Sequence, residues 1–145
     1  MKKVIMQATK LVVPSKKLQQ EKSKVAMLAF QQVHQQTAKY SEIIDVEFGG
    51  SYPKGTWLPD KADVDIFIKF DKSTPEKKFV EISKKVGFDS LKKFKPYVRY
   101  SEHPYVEANI NKTRVNVVPC YKVELGKWKS SLGSGPPMWF QCASR

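Results

Sequence analysis

The sequence predicts a small α+β domain, a mixed sheet flanked by helices, and three observations carry that prediction. From Lys16 to about Tyr40 no proline or glycine interrupts the chain, and apolar residues recur there at helical spacing. Two later segments, Ile44 to Phe48 and Asp63 to Phe70, alternate apolar with polar residues, as half-buried strands do. Finally, Tyr97 to Ile110 and Thr113 to Tyr121 read as a strand pair about the polar turn Asn111-Lys112. With a helix after Thr74, the order is helix, strand, strand, helix, strand, strand.

Each element has a local reason. Residues 1–13 alternate lysines with an apolar patch, Leu11, Val12 and Val13, before Pro14. Ser15 suits an N-cap, although Leu18 at N3 completes no capping box. The first helix carries Leu18, Val25, Leu28, Ala29, Val33 and Tyr40 on one side and lysine and glutamine on the other, where His34 belongs to the surface. The first strand alternates Ile44, Val46 and Phe48 with Asp45 and Glu47 and ends at Gly49-Gly50. Lys54 to Leu58 is expected to form a turn of helix before Pro59. The second strand places Val64, Ile66, Ile68 and Phe70 on one face and Asp63, Asp65, Phe67 and Lys69 on the other. Thr74-Pro75 opens a helix to about Val86, with Gly87 as its stop and a shorter helical piece from Ser90 to Lys95.

Composition narrows the class. A chain of 145 residues is one domain's worth, and its net charge of +12 comes from 26 cations, 23 of them lysine, against 14 acids. That charge serves either as a solubilising surface or as a footprint for polyanions such as nucleic acid; the motifs below favour the second. Two cysteines and two histidines exclude a disulfide scaffold and a standard zinc finger. Cys120, after Val117, Val118 and Pro119, is expected to be a buried, inert thiol. No apolar run reaches the length of a membrane span, and the N-terminus lacks a signal-peptide pattern, so a reducing cytoplasm is the expected setting. Breakers crowd the last residues: Gly126, Leu-Gly-Ser-Gly-Pro-Pro at 132–137, then Trp139 and Phe140 with nothing to pack on. No regular structure is expected there.

The chemistry concentrates between Phe48 and Phe70. Asp63 and Asp65, one residue apart on a strand, project from one face, and two carboxylates so close repel unless a cation sits between them. The pair is a natural magnesium seat. Backbone amides of the Gly49-Gly50-Ser51 turn can take phosphates that such a metal bridges, and Ser51 and Lys54 add a hydroxyl and an ammonium. Nucleotidyl transfer to a 3′-hydroxyl commonly uses two divalent metals held by three carboxylates. The third ligand should come from the strand Thr113 to Tyr121, whose inward central residue is Asn116. Its amide oxygen can ligate, but it brings no charge and cannot act as a base. Arg114, two residues earlier, faces the same way and can reach phosphate. Alone, Gly-Gly-Ser is a turn and Asp-x-Asp a solvated strand face; together at this spacing they are the signature of the nucleotidyltransferase superfamily. Trp57, Tyr97, Tyr100 and Tyr105 can stack bases, although each is also an ordinary packing residue.

Longer blocks carry a closer resemblance. Gly-Ser-Tyr-x-Lys-Gly-Thr-Trp-Leu-Pro, Asp-Val-Asp-Ile-Phe-Ile, Glu-His-Pro-Tyr-Val and Val-Asn-Val-Val-Pro-Cys-Tyr-Lys-Val follow in that order. They closely resemble the catalytic head of archaeal class I CCA-adding enzymes (CCA tRNA nucleotidyltransferases), from about Val12 to Lys129. The resemblance implies a polymerase-beta-like nucleotidyltransferase fold. It also implies template-independent addition of C, C and A to tRNA 3′ ends from CTP and ATP, with Mg2+ as cofactor. Gly50, Ser51 and Lys54 then bind nucleotide, and Asp63 and Asp65 are catalytic and hold metal. The third family carboxylate falls at Asn116. Past Lys129 the family's Asp-Arg-x-Pro-Phe-His segment is missing and further family domains are absent, so residues 1–129 are expected to be the catalytic head and 130–145 an aberrant or disordered tail, in a truncated chain of impaired activity. The expected partners are tRNA, CTP and ATP, without a membrane; a homodimer is compatible with the reading. Two other readings are a minimal nucleotidyltransferase of the toxin–antitoxin kind, which Trp-Leu-Pro and Pro-Cys-Tyr-Lys-Val argue against, and a non-catalytic basic RNA-binding module.

Overall fold

The computed structural model describes residues 13–59, 63–100, 104–123 and 141–143, the last three as backbone alone. Expectations for Leu11 and Val12, for Glu102 and His103, and for the tail up to Phe140 lie outside the described residues.

Helix α1, Lys16–Thr37, begins where the Ser15 hydroxyl accepts the Leu18 N–H at 3.2 Å. It buries Val25, Ala26, Ala29 and Val33. Leu28, expected on that stripe, is 42 % exposed. At about 100° per residue it falls more than a right angle from the centre of the buried stripe, which the small Ala26 and Ala29 define.

Strand β1, Ile43–Gly49, pairs antiparallel with β2, Val64–Phe70. A register irregularity between Ile43 and Asp45 turns Ile43 inward and leaves Ile44 exposed, against the simple alternation read from sequence. The expected helical turn at Lys54–Leu58 is absent: residues 50–55 form turns, with Gly55 N–H donating to Tyr52 C=O at 3.1 Å. Helix α2, Glu76–Leu91, runs through Gly87 and passes into one 3₁₀ turn, Lys92–Phe94. Gly87 is a packing residue rather than a stop: a Cβ there would lie 2.5 Å from the Val106 side chain. Thr74 does not cap the helix. Pro75 holds that position, and Thr74 C=O instead accepts from the Tyr121 hydroxyl at 2.9 Å.

The β region beyond is three strands, β3 (Tyr97–Arg99), β4 (Tyr105–Ile110) and β5 (Thr113–Val123). Asn111 and Lys112, at φ 48° and 64°, form the two-residue β4–β5 turn that a right-twisted hairpin favours. A further strand, β6 (Gln141–Ala143), runs parallel to β5, giving regular structure at three positions where none was expected. The six-stranded sheet has the order β1-β2-β5-β4-β3 with β6 also beside β5, and β2 and β5 are parallel. Pro119 fits inside β5 because β4 pairs only up to Val117 and β6 only from Tyr121. Cys120 is buried as expected, but it is disulfide-bonded and not a thiol.

Both helices contribute to the single core, on the sheet face presenting Val64, Ile66, Ile68, Phe70, Val115, Val117 and Tyr121. Phe79 of α2 stacks on Tyr121 with ring centres 4.4 Å apart. Each of these large side chains contributes about 1.5–3 kcal/mol by leaving water. Their alternation fixes which way the intervening polar residues point.

Candidate active site

The opposite face carries the chemistry. In-register pairing aligns Gly49, Asp65, Asn116, Glu107 and Tyr97 in one row across β1, β2, β5, β4 and β3. Paired residues on neighbouring strands share a face, so the row is a line of adjacent side chains. Asp63, just ahead of β2, meets Arg114 on β5: the guanidinium Nε donates to Asp63 Oδ1 at 3.0 Å. Asp65 meets Asn116, whose Nδ2 donates to Asp65 Oδ1 at 2.7 Å. Burial pushes the Asp65 carboxyl above its ordinary range, against the Asn116 hydrogen bond; Asp63 adds to the rise and Arg114 opposes it.

The glycine turn lies against these carboxylates. Gly50 has φ +67°, and a Cβ on it would sit 2.3 Å from Asp65 Oδ2. Gly49 is equally constrained, since a Cβ there would enter the Phe67 ring at 1.9 Å. Ser51 follows half-buried and Lys54 lies exposed in the turn; among the described residues, neither bonds to Asp63 or Asp65. The structure thus joins Gly50, Asp63, Asp65, Arg114 and Asn116, and among the described residues Ser51 and Lys54 have no hydrogen bond or ion pair to either aspartate.

Among the described residues, no three His, Cys, Asp or Glu side chains converge on a metal position. Asn116 is the reason. It is 7 % exposed, and its Oδ1 is buried without a hydrogen-bond partner. An orphaned buried acceptor costs about 1–3 kcal/mol, so this oxygen stands to gain from any donor or cation it can reach. Two hard carboxylates and one amide oxygen form an oxygen donor set of the type that suits magnesium.

Two residues escaped the sequence reading. Lys22 on α1 is 4 % exposed, with its ammonium 4.9 Å from the Trp57 ring centre. Its pKa is lowered by burial, while the charge of Asp63 pulls the other way. The available signal was a lysine on the apolar stripe of the helix. Glu107 on β4 is 3 % exposed; Tyr97 OH donates to its Oε1, and Arg99 Nε lies 3.5 Å from Oε2. A two-residue turn at Asn111-Lys112 fixes the hairpin register, so the pairing of Glu107 with Asn116 was legible in advance.

Comparison with known proteins agrees with this geometry. Residues 31–136 match the family model described as a nucleotidyltransferase domain. The CCA-adding enzyme of Methanocaldococcus jannaschii is 38% identical over 87 residues, 59% of this chain and 19% of that protein. The CCA-adding enzyme of Thermoplasma volcanium is 44% identical over 82 residues, 57% of this chain and 18% of that protein. The chain thus spans under a fifth of the length of these curated relatives. Among solved structures, the E. coli MS115-1 CdnC:HORMA-deltaN complex superposes at a TM-score of 0.62, with 18% identity, over 93% of this chain and 45% of that one. The GLD-2/RNP-8 complex does so at 0.59, with 14% identity, over 79% and 37%. These structural likenesses concern the fold alone. A mixed sheet with two helices on one face, a glycine turn against paired aspartates on the other, and a family match across most of the sequence lead to one conclusion: the chain belongs to the nucleotidyltransferase domain family.

Proposed function

We propose that this chain is the catalytic head of a CCA-adding enzyme, acting on tRNA 3′ ends with CTP and ATP in the cytoplasm, with addition weakened by Asn116. The observation that carries the reading is the packing of the Gly50 backbone against Asp65 Oδ2; in this reading the turn takes phosphate and the carboxylate beside it takes metal. The likeness to archaeal CCA-adding enzymes supports the substrate class. In this reading residues 1–129 form the head and 130–145 an aberrant tail whose strand β6 adds to the head's sheet.

Asp63, Asp65 and Asn116 Oδ1 would hold the metal. Magnesium bound there would offset charge developing on the phosphoryl oxygens and leaving pyrophosphate. Gly50 and Ser51 amides, with the Lys54 ammonium, orient the triphosphate. Arg114, now paired with Asp63, is placed to turn to phosphate. Asn116 cannot accept the 3′-hydroxyl proton, so the step lacks one carboxylate's help.

The test is incorporation of labelled CTP and ATP into tRNA lacking its CCA end, with magnesium, by this chain and by Asn116→Asp. Slow addition in the parent, lost in Asp63→Ala and raised at least tenfold in Asn116→Asp, is expected. A second reading, a non-catalytic basic RNA-binding module, is favoured by the neutral Asn116 and the +12 charge. Silence in both proteins would point to a head that needs its further domains, and tRNA binding unchanged in an Asp63→Ala, Asp65→Ala double variant would favour the module.

A further inference from the structure

Asn116 lies in register between two carboxylates, Asp65 on β2 and Glu107 on β4. Its single amide group now serves Asp65 through Nδ2, and the planar amide turns Oδ1 away from Asp65, where it is buried without a partner. The reverse orientation would direct Nδ2 away from Asp65 and bring Oδ1 beside the Asp65 oxygens. Without a cation, two acceptors would then face each other. With one between them, the arrangement becomes favourable. Glu107 is equipped to receive Nδ2 in that state. Tyr97 and Arg99 engage its two oxygens singly, and a carboxylate has about four acceptor positions. Its burial at 3 % exposure keeps water from competing.

We propose that Glu107 is a positioning residue that makes Asn116 a metal ligand: the amide turns over on metal binding, presenting Oδ1 to the cation beside Asp65 and donating Nδ2 to Glu107. The amide remains neutral, but the hydrogen bond to Glu107 polarises it and makes Oδ1 a stronger donor to the cation. This inference rests on the metal seat at Asp63 and Asp65 proposed above. It also accounts for a buried carbonyl oxygen left without a donor.

The experiment is a manganese titration of the whole chain, read by the electron paramagnetic resonance of free Mn2+, for four proteins: parent, Glu107→Gln, Asn116→Asp and the double variant. A glutamine at 107 offers an N–H to Oδ1 and so holds the amide with Nδ2 on Asp65. Glu107→Gln should weaken Mn2+ binding about tenfold, the scale for losing a partner that orients a ligand. In the Asn116→Asp background the same change should alter affinity less than twofold, because a carboxylate at 116 needs no turning. An equal loss in both backgrounds would mark Glu107 as merely structural, and a loss below twofold in the parent would also overturn the proposal. Should Glu107→Gln fail to fold, the Asn116 side-chain amide of the parent decides by NMR. Its contacts should pass from Asp65 to Glu107 as Mg2+ is added, and contacts that stay with Asp65 at saturation refute the turn. Mn2+ binding that is absent, or indifferent to Asp63→Ala, would overturn the metal seat as well; Asp63-dependent binding with no Glu107 effect would overturn this inference alone.

Discussion

The two faces of one sheet obey different rules. Toward the helices, β2 presents Val64, Ile66, Ile68 and Phe70, all fully buried. Toward the other side the same strand presents Asp65, Phe67 and Lys69, and Lys69 is also buried, with Glu47 2.6 Å away and Asp45 at 3.9 Å. One face gains stability by excluding water from apolar area. The other holds polar and charged groups whose neighbours satisfy them only in part, the neutral Asn116 Oδ1 being the clearest case. Stability and chemistry therefore alternate residue by residue along β2, and a substitution's effect depends on which side it strikes.

The sharpest way to break the comparison is a pair of neighbours. Ile66→Ala should cost about 2–5 kcal/mol of stability, read as a fall in urea midpoint, because the core cannot fully close on the lost atoms. Asp65→Asn should remove Mg2+ binding and lower nucleotidyl transfer by about 10²–10³-fold or more, the scale of losing preorganised charge at a transition state. It should leave Tm unchanged or higher, since it replaces a partly desolvated charge. If Asp65→Asn unfolded the protein as Ile66→Ala does, the division between faces would be wrong.

Glycines give a milder version. Gly50→Ala must strain a φ of +67° and press Asp65 Oδ2, whereas Gly87→Ala presses only Val106. Both should destabilise by about 1–3 kcal/mol. Only Gly50→Ala should also weaken metal binding, by about tenfold, since it alone displaces a ligand. Calorimetry of both variants with Mn2+ separates the two effects.

The smallest expected effect is on pH. The Asp65 pKa is raised, chiefly by burial, so its neutral form adds stability that is full below the ordinary carboxylate value of about 4 and is lost as pH rises through the folded value. Metal affinity runs oppositely, because a cation needs the ionised form. Glu42, bonded to Lys78, and Asp71, bonded to Ser73, have lowered pKa values and contribute stability that is lost on acidification. Asp65 is isolated by subtraction: the parent minus Asp65→Asn stability difference should fall as pH rises above about 4. A flat difference would mean that burial does not tune this carboxyl.

Much was legible because periodicity and turn chemistry are local. The first long helix, the alternation of Val64 to Phe70 and the two-residue turn at Asn111-Lys112 needed no partner to be read. Expectations failed where a neighbour decided. Gly87 looks like a stop because glycine weakens helices in general, but Val106 makes it a close-packing position. Ile44 alternates correctly with Val46, yet the register irregularity moves Ile43 inward in its place.

By itself the sequence determined the α+β class, the strand carrying Asp65 with Asp63 at its start, and the glycine turn before it, since each follows from spacing along the chain. Tertiary structure alone decided that Gly50 rests on Asp65, that Lys22 comes within the charge field of Asp63, and that β5 lies beside β2 so that Asn116 meets Asp65 with one oxygen unserved. The first set depends on a strand's period of two. The second depends on which distant elements become neighbours, and for Asn116 that is settled only when β2 and β5 pair in register.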